Sequence, residues 1–303
     1  MKPTLVIMAA GMASRYGSMK QIQQFGPSGE TIMDYSIYDA IKAGFGKVVF
    51  IIRKDFAEDF KNIFEPKLQG KIETEYVYQE LSAYLGDQEV PADRKKPWGT
   101  SHAILCAQHA VKENFAVINA DDFYGADAFS KANSFLVNEG SDTVYGLVGY
   151  QLSKTLSQNG TVSRGVCQVD EDNNLITINE RLKIYRDEES GKMVNEEPDG
   201  TKIEIPEDAK ASMNFWCFAP SLFSYLQEQF DVFLQENINN PKSEFLIPLT
   251  VDQFVKEGEG VVKVIPTSAQ WFGVTYKEDA PIVQESLNQL VNAGEYPNNL
   301  WGK

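Results

Sequence analysis

The chain has 303 residues, with 28 Lys and Arg against 43 Asp and Glu, a formal net charge of −15. That acidic excess argues against electrostatic binding of nucleic acid, which needs a basic footprint, and against docking on an anionic membrane surface. With 43% apolar and 23% charged residues, the composition is that of an ordinary globular protein long enough to bury a large core.

The first half of the chain alternates strand-like and helix-like segments. Residues 4–9 form a short apolar run ending at Gly11, as a strand buried on both faces would. Residues 32–43 carry apolar side chains at helical spacing and stop at Gly44 and Gly46. Residues 47–52 read as a second buried strand, 55–64 as a helix with Pro66 just beyond it, and 72–78 as an alternating strand. A helix over 100–112 and a buried strand over 115–120 follow. This alternation predicts an α/β fold with a mostly parallel sheet covered on both sides. Ligands of such sheets bind beyond the carboxyl ends of the strands, which directs attention to the loops after Ala9, Tyr78 and Ala120.

After Gly140 the pattern becomes β-rich, with strands expected at 143–151, 162–169, 175–180 and 213–218. Half of residues 181–210 are charged, which predicts a solvated, hairpin-like insertion. Helices are expected at 221–235, 243–256 and 278–292, with a strand at 261–265. No repeat or long linker divides the chain, so residues 1–303 are expected to form a single domain with the 181–210 insertion inside it.

Cys106, Cys167 and Cys217 are widely spaced and odd in number, which suits buried thiols better than a disulfide framework. The opening apolar run is too short for a signal peptide, and no stretch reaches the length of a membrane span. A cytoplasmic protein is expected.

The loop after the first strand reads Ala9-Ala10-Gly11-Met12-Ala13-Ser14-Arg15-Tyr16-Gly17-Ser18-Met19-Lys20. Small residues let backbone N–H groups approach an anion, and Arg15 and Lys20 add full charges, so a phosphate is the natural guest. A Walker loop is excluded because Ser18, not Lys, follows Gly17. The dinucleotide fingerprint is excluded because Ala stands at position 13. At the end of the 115–120 strand, Asp121 and Asp122 offer carboxylates suited to a hard cation such as Mg²⁺.

Taken together, these residues resemble the sugar-1-phosphate nucleotidyltransferase family. Ala9-Ala10-Gly11, Arg15 and Lys20-Gln21 resemble its nucleotide loop, and Asp121 with Phe123-Tyr124-Gly125 its metal-binding strand end. Gln79 and the segment from Trp98 to Ala103 resemble the part that reads the base. Arg164-Gly165-Val166 and Asn179-Glu180-Arg181 resemble the strands lining the sugar-phosphate site. The likeness runs from about residue 4 to 285. It implies a three-layer, Rossmann-like (glycosyltransferase-A-like) fold with a mixed, mostly parallel sheet and an inserted β lobe.

Three departures stand out. The loop between Arg15 and Lys20 is short, closer to related cytidylyl- and guanylyltransferases. Arg181 stands where Lys is usual. Gly273 occupies the position of the family's second metal-binding Asp. Either Asp122 takes over that duty, or one carboxylate with phosphate oxygens and waters suffices; Asp279 is a weaker substitute.

The implied reaction is attack of a phosphomonoester oxygen on the α-phosphorus of a nucleoside triphosphate, with pyrophosphate leaving. Its nucleophile is already anionic, so the task is to offset repulsion and align the reactants rather than to supply a strong base. The resemblance gives Ala9, Ala10, Gly11 and Met12 to the phosphates and Gln79, Gly99 and Thr100 to the nucleoside. It gives Arg15, Lys20 and Asp121 to catalysis, and Asp121 with Asp122 to Mg²⁺. Gly165, Glu180, Arg181, Lys183 and Asn214 fall to the sugar phosphate.

The expected partners are UTP or dTTP and a sugar 1-phosphate, with no nucleic acid or membrane; a homo-oligomer is compatible with the sequence. A cytidylyltransferase for an alcohol phosphate and a silent nucleotide-sugar-binding regulatory protein are the alternatives. His102 and His109, seven residues apart, are expected on one helix face, without the partners a metal site needs. Tyr16, Trp98 and Trp216 are expected to be core aromatics rather than base-stacking ones.

Overall fold

The structure, a computed structural model, describes residues 1–13, 23–157, 160–273 and 279–302. The first half contains β1 (Thr4–Met8), α1 (Ile32–Ala43), β2 (Lys47–Ile52), α2 (Ala57–Leu68) and β3 (Glu73–Tyr78). Then come α3 (Thr100–Leu105), β4 (Phe115–Asn119), β5 (Asp122–Phe123) and α4 (Ala126–Asn138). The second half supplies β6 (Val144–Gln151), β7 (Val162–Val169), β8 (Leu175–Arg186), β9 (Met193–Glu196), β10 (Lys202–Glu204) and β11 (Lys210–Phe218). It closes with α5 (Leu222–Asn237), α6 (Ile247–Lys256), β12 (Val261–Pro266), β13 (Phe272–Gly273) and α7 (Asp279–Asn292).

β1 lies between β2 and β4, parallel to both, and β2 pairs in parallel with β3. Alternate side chains of these strands enter opposite layers, as the period of two requires. Leu5, Ile7, Phe50 and Ile118 join Phe60, Phe64 and Phe129 on one face. Val6, Val49, Ile51 and Val117 join Ile104, Phe230 and Phe254 on the other. Burial on both faces is why the strands are nearly continuous apolar runs, and the three-layer α/β expectation is met.

The inserted lobe is an antiparallel extension of the same sheet. β7 pairs with β8, β8 with β9 and β9 with β10. The charged 181–210 segment is therefore not separate from the strand before it, since β8 runs on to Arg186. Cross-strand ion pairs such as Lys192–Glu204 and Lys202–Asp187 use much of its charge.

β11 joins the two parts. One of its edges pairs with β6, which pairs in parallel with β12. Its other edge is shared: Lys210 to Ser212 pair with β7, and Trp216 to Phe218 with β4. Between these stretches β11 bulges, and Asn214 takes φ +59°, a conformation Asn tolerates better than most residues. The bulge opens the sheet where β4 ends and β7 begins.

Some local expectations are corrected. Pro66 lies inside α2, near its end, where it removes one donor while the Gln69 N–H still bonds to the Glu65 carbonyl at 3.0 Å. α3 stops at Leu105 and gives way to tight turns, such as Ala110 N–H to Ala107 carbonyl at 2.9 Å. His102 and His109 consequently share no helix face: His102 is buried and His109 exposed. Trp98 and Trp216 are fully buried, and none of the three cysteines is bonded to another. Among the described residues, no helix is long and apolar enough to cross a membrane.

Candidate active site

The first loop leaves β1 at the carboxyl end of the parallel strands. The Ala9 N–H bonds to the Ile51 carbonyl at 2.8 Å, and Ala10–Ala13 form a tight helical turn with Gly11 exposed. Arg15, Tyr16 and Lys20 lie outside the described residues. Where the chain is described again, its return is firmly held. Thr31 and Asp34 form a reciprocal capping box on α1, and Asp34 also binds the Lys67 ammonium at 2.8 Å and the Trp301 indole N–H at 2.8 Å.

Beyond β3, Gln79 meets the loop that opens α3. Its amide nitrogen donates to the Gly99 carbonyl at 3.0 Å and lies 3.3 Å from Nδ1 of His102. Gly99 has φ +116°, and a Cβ there would lie 2.8 Å from the Phe245 backbone nitrogen. Only glycine allows this approach, which the Phe245 N–H to Trp98 carbonyl bond (2.6 Å) and the Ser101 N–H to Phe245 carbonyl bond (3.0 Å) hold in place. The Thr100 hydroxyl accepts the Ile247 N–H at 2.9 Å, so it serves the start of α6.

Asp121 and Asp122 follow β4. Asp122 sits on β5, opposite Gly273 of β13. Its carboxylate accepts the Asn119 side-chain amide at 2.9 Å and lies 3.3 Å from the Tyr124 hydroxyl. That hydroxyl accepts the Asn119 backbone N–H at 3.1 Å and reaches the Met213 carbonyl at 3.0 Å, tying the aspartates to the bulge of β11. Burial, then the charge of Asp121, raises the Asp122 pKa to about 7. Two adjacent carboxylates whose repulsion a cation would relieve are a fitting donor set for Mg²⁺, which keeps waters and phosphate oxygens as its other ligands. No group of three or more metal-ligating side chains occurs among the described residues.

A Cβ on Gly273 would come within 2.5 Å of Asp122 Oδ1. The absence of a side chain at 273 is what lets the Asp122 carboxylate occupy the space against β13. The aspartate expected at 273 and the one present at 122 compete for one place.

Arg164, which the resemblance places on a strand lining the sugar-phosphate site without a role of its own, stands beside the aspartates. Its guanidinium donates to the Thr155 carbonyl at 2.7 Å and the Ser163 carbonyl at 2.8 Å, and stacks 4.8 Å from the Trp271 ring centroid. It sits in the field of Asp122, Glu180 and Asp279. The run Arg164-Gly165-Val166 was its only signal. Gly165 pairs with Glu180 in the β7–β8 register, and desolvation raises the Glu180 carboxyl while Arg164 opposes that shift. Asn214 lies on the bulge, where its side-chain Oδ1 accepts the Trp216 indole N–H at 3.4 Å. Arg181 pairs with Glu197 at 2.8 Å and Lys183 with Glu196, so both cations are neutralised by the lobe's own acids.

The family model for nucleotidyl transferases matches residues 4–272, and the chain belongs to that family. No curated protein matches it. Among solved structures it is similar to the inositol-1-phosphate CTP transferase from T. maritima, with TM-score 0.63 and 14% identity over 96% of both chains. It is also similar to a protein assigned as a glucose-1-phosphate thymidylyltransferase from Bacillus anthracis, with TM-score 0.62 and 13% identity over 94% of both chains. A UDP-glucose pyrophosphorylase complexed with UDP-glucose gives TM-score 0.55 and 15% identity over 95% of this chain and 99% of that one. At these identities the likeness establishes the fold.

Proposed function

We propose that this nucleotidyl transferase joins UTP or dTTP to a sugar 1-phosphate. A phosphate oxygen of the sugar attacks the α-phosphorus, a new P–O bond forms, and the bond to the β-phosphate breaks to release pyrophosphate. The observation that carries this reading is the opening between β4 and β7. There the Asp121-Asp122 pair, Arg164 and the Asn214 bulge converge at the carboxyl ends of the parallel strands.

The backbone of Ala9, Ala10, Gly11 and Met12 would receive the triphosphate, and Arg15 and Lys20 would neutralise its charge in the transition state. Gln79, Gly99 and Thr100 would line the nucleoside. Mg²⁺ held by Asp121 and Asp122 would offset repulsion between the two anionic substrates. Asn214 and Glu180 would face the sugar beside Gly165. Arg181 and Lys183 would take the sugar phosphate by exchanging Glu197 and Glu196 for it.

Pyrophosphate release across a panel of triphosphates and phosphomonoesters tests the proposal. Turnover with UTP or dTTP and a hexose 1-phosphate is expected. Turnover restricted to CTP with an alcohol phosphate, or nucleotide-sugar binding without turnover in Mg²⁺, would replace this reading. Asp121→Ala and Lys20→Ala are each expected to remove most activity while far-UV circular dichroism stays unchanged; near-normal rates in either would overturn the site assignment.

A further inference from the structure

Gln79 directly follows β3, half-buried, with both protons of its amide committed. The Gly99 carbonyl can only accept, so the amide nitrogen must face it. The second N–H faces Nδ1 of His102. On the far side of that ring, Nε2 lies 3.0 Å from the Ala83 carbonyl. This carbonyl, too, can only accept, so the ring proton resides on Nε2 and Nδ1 is left as a lone pair. Burial pulls the His102 pKa down to about 4 and keeps the ring neutral. The ring is fully buried and packs on Phe230, with centroids 4.8 Å apart.

Proton directions are thus fixed in series from the Ala83 carbonyl through His102 to Gln79. Without these partners an amide can turn either its carbonyl or its amino group toward a ligand. With them, the carbonyl Oε1 is the atom left to meet a base. We infer that His102 is a positioning residue for base choice, acting through Gln79 to present an acceptor rather than a donor to the triphosphate's base. This rests on the site being the nucleotide pocket proposed above. An acceptor pairs with the imide N–H of uracil or thymine, whereas it meets the N3 lone pair of cytosine as repulsion.

The test compares kcat/KM for UTP, dTTP and CTP in the full chain, with whichever sugar phosphate supports turnover. The wild type should favour UTP or dTTP over CTP by on the order of ten- to a hundredfold. His102→Phe removes the acceptor and keeps the aromatic packing; its UTP-to-CTP ratio should fall about fivefold, chiefly through the KM for UTP. His102→Asn, whose Oδ1 can stand near the Nδ1 position, should restore the ratio. A wild-type preference for CTP overturns the inference. So does a His102→Phe protein that loses rate equally with every triphosphate, as a merely structural residue would.

Ring ¹⁵N spectra of the chain's two histidines give a readout that needs neither turnover nor a folded variant. The proton should sit on His102 Nε2, and a proton on Nδ1 would overturn the inference. Absence of pyrophosphate release with every triphosphate would instead overturn the function proposed for the site, leaving the spectra to decide the role of His102.

Discussion

Replacing Gly273 by Ala puts a methyl group where β5 and β13 meet. That Cβ would lie 2.5 Å from Asp122 Oδ1 and 3.1 Å from the Trp271 ring, whereas ordinary contact begins at 3.4 Å. The shortfall of about 0.9 Å falls on the Asp122 carboxylate, which must swing away from the Asn119 amide and the Tyr124 hydroxyl. Overpacking of this kind costs about 1–3 kcal/mol, so urea unfolding should show a loss of about 2 kcal/mol.

The functional consequence should be larger. Metal ligands tolerate displacements of about 0.2 Å. Moving one of two carboxylates several times that far should raise the Mg²⁺ concentration needed for half-maximal pyrophosphate release about 10- to 100-fold. Calorimetric titration of Mg²⁺ into the protein with bound triphosphate should weaken in parallel. Gly273→Asp should crowd Asp122 still more, whereas Asp122→Gly combined with Gly273→Asp moves the carboxylate across the strand pair and should recover much of the affinity. A stability loss with an unchanged Mg²⁺ requirement would refute the role given to Asp122.

Asp39 is buried and accepts the Tyr296 hydroxyl at 2.7 Å; burial outweighs that bond and lifts its pKa from 3.8 to about 7. A raised carboxyl pKa stabilises the protonated folded form, so stability should fall as pH rises from about 4 to about 7 and level off above. Asp39→Asn removes this penalty and should be more stable than wild type by about 4 kcal/mol at pH 8, and by only about 2 kcal/mol at pH 5.5. A stability difference that stays constant with pH in urea titrations would exclude the linkage. Gly99→Ala combines an unfavourable φ with a collision against the Phe245 backbone and should cost about 2–5 kcal/mol by chemical denaturation; a loss under 1 kcal/mol would mean that the loop moves freely from Phe245.

The sequence was legible where one physical requirement dominated. β1, β2 and β4 had to be apolar throughout because both faces are covered. Gly99 stood out only through the family resemblance, because the backbone approach that nothing larger permits is made to Phe245, far along the chain. Arg164 was harder to place because its neighbours come from distant segments: Asp122 after β4, Glu180 on β8 and Asp279 at the start of α7. The β5–β13 pairing involves two residues on each strand, too few to create periodicity. The bulge in β11 depends on a strand that changes neighbours midway, a tertiary event with no local pattern beyond one Asn at positive φ. Half of residues 181–210 are charged, which predicts a solvated, hairpin-like insertion; the segment is largely exposed, and its charges face one another across neighbouring strands, a pairing that composition alone does not show.

The charge balance can now be followed into the site. Asp121, Asp122, Glu180 and Asp279 gather around the opening, and among the described residues Arg164 is a cation placed with them. Its guanidinium is already bonded to the Thr155 and Ser163 carbonyls and stacked on Trp271, so its charge serves mainly to hold these acids together. Arg181 and Lys183 begin paired with Glu197 and Glu196. Such half-exposed pairs are weak enough to open for a phosphate, but they contribute little field until they do. On the function proposed above, the positive potential that draws in a triphosphate would come from the first loop and from a cation on the aspartates. On that proposed function, the division would let a chain at −15 bind short polyanions: a divalent ion held by Asp121 and Asp122 would supply the positive charge that the surrounding acids lack, with phosphate oxygens among its remaining ligands.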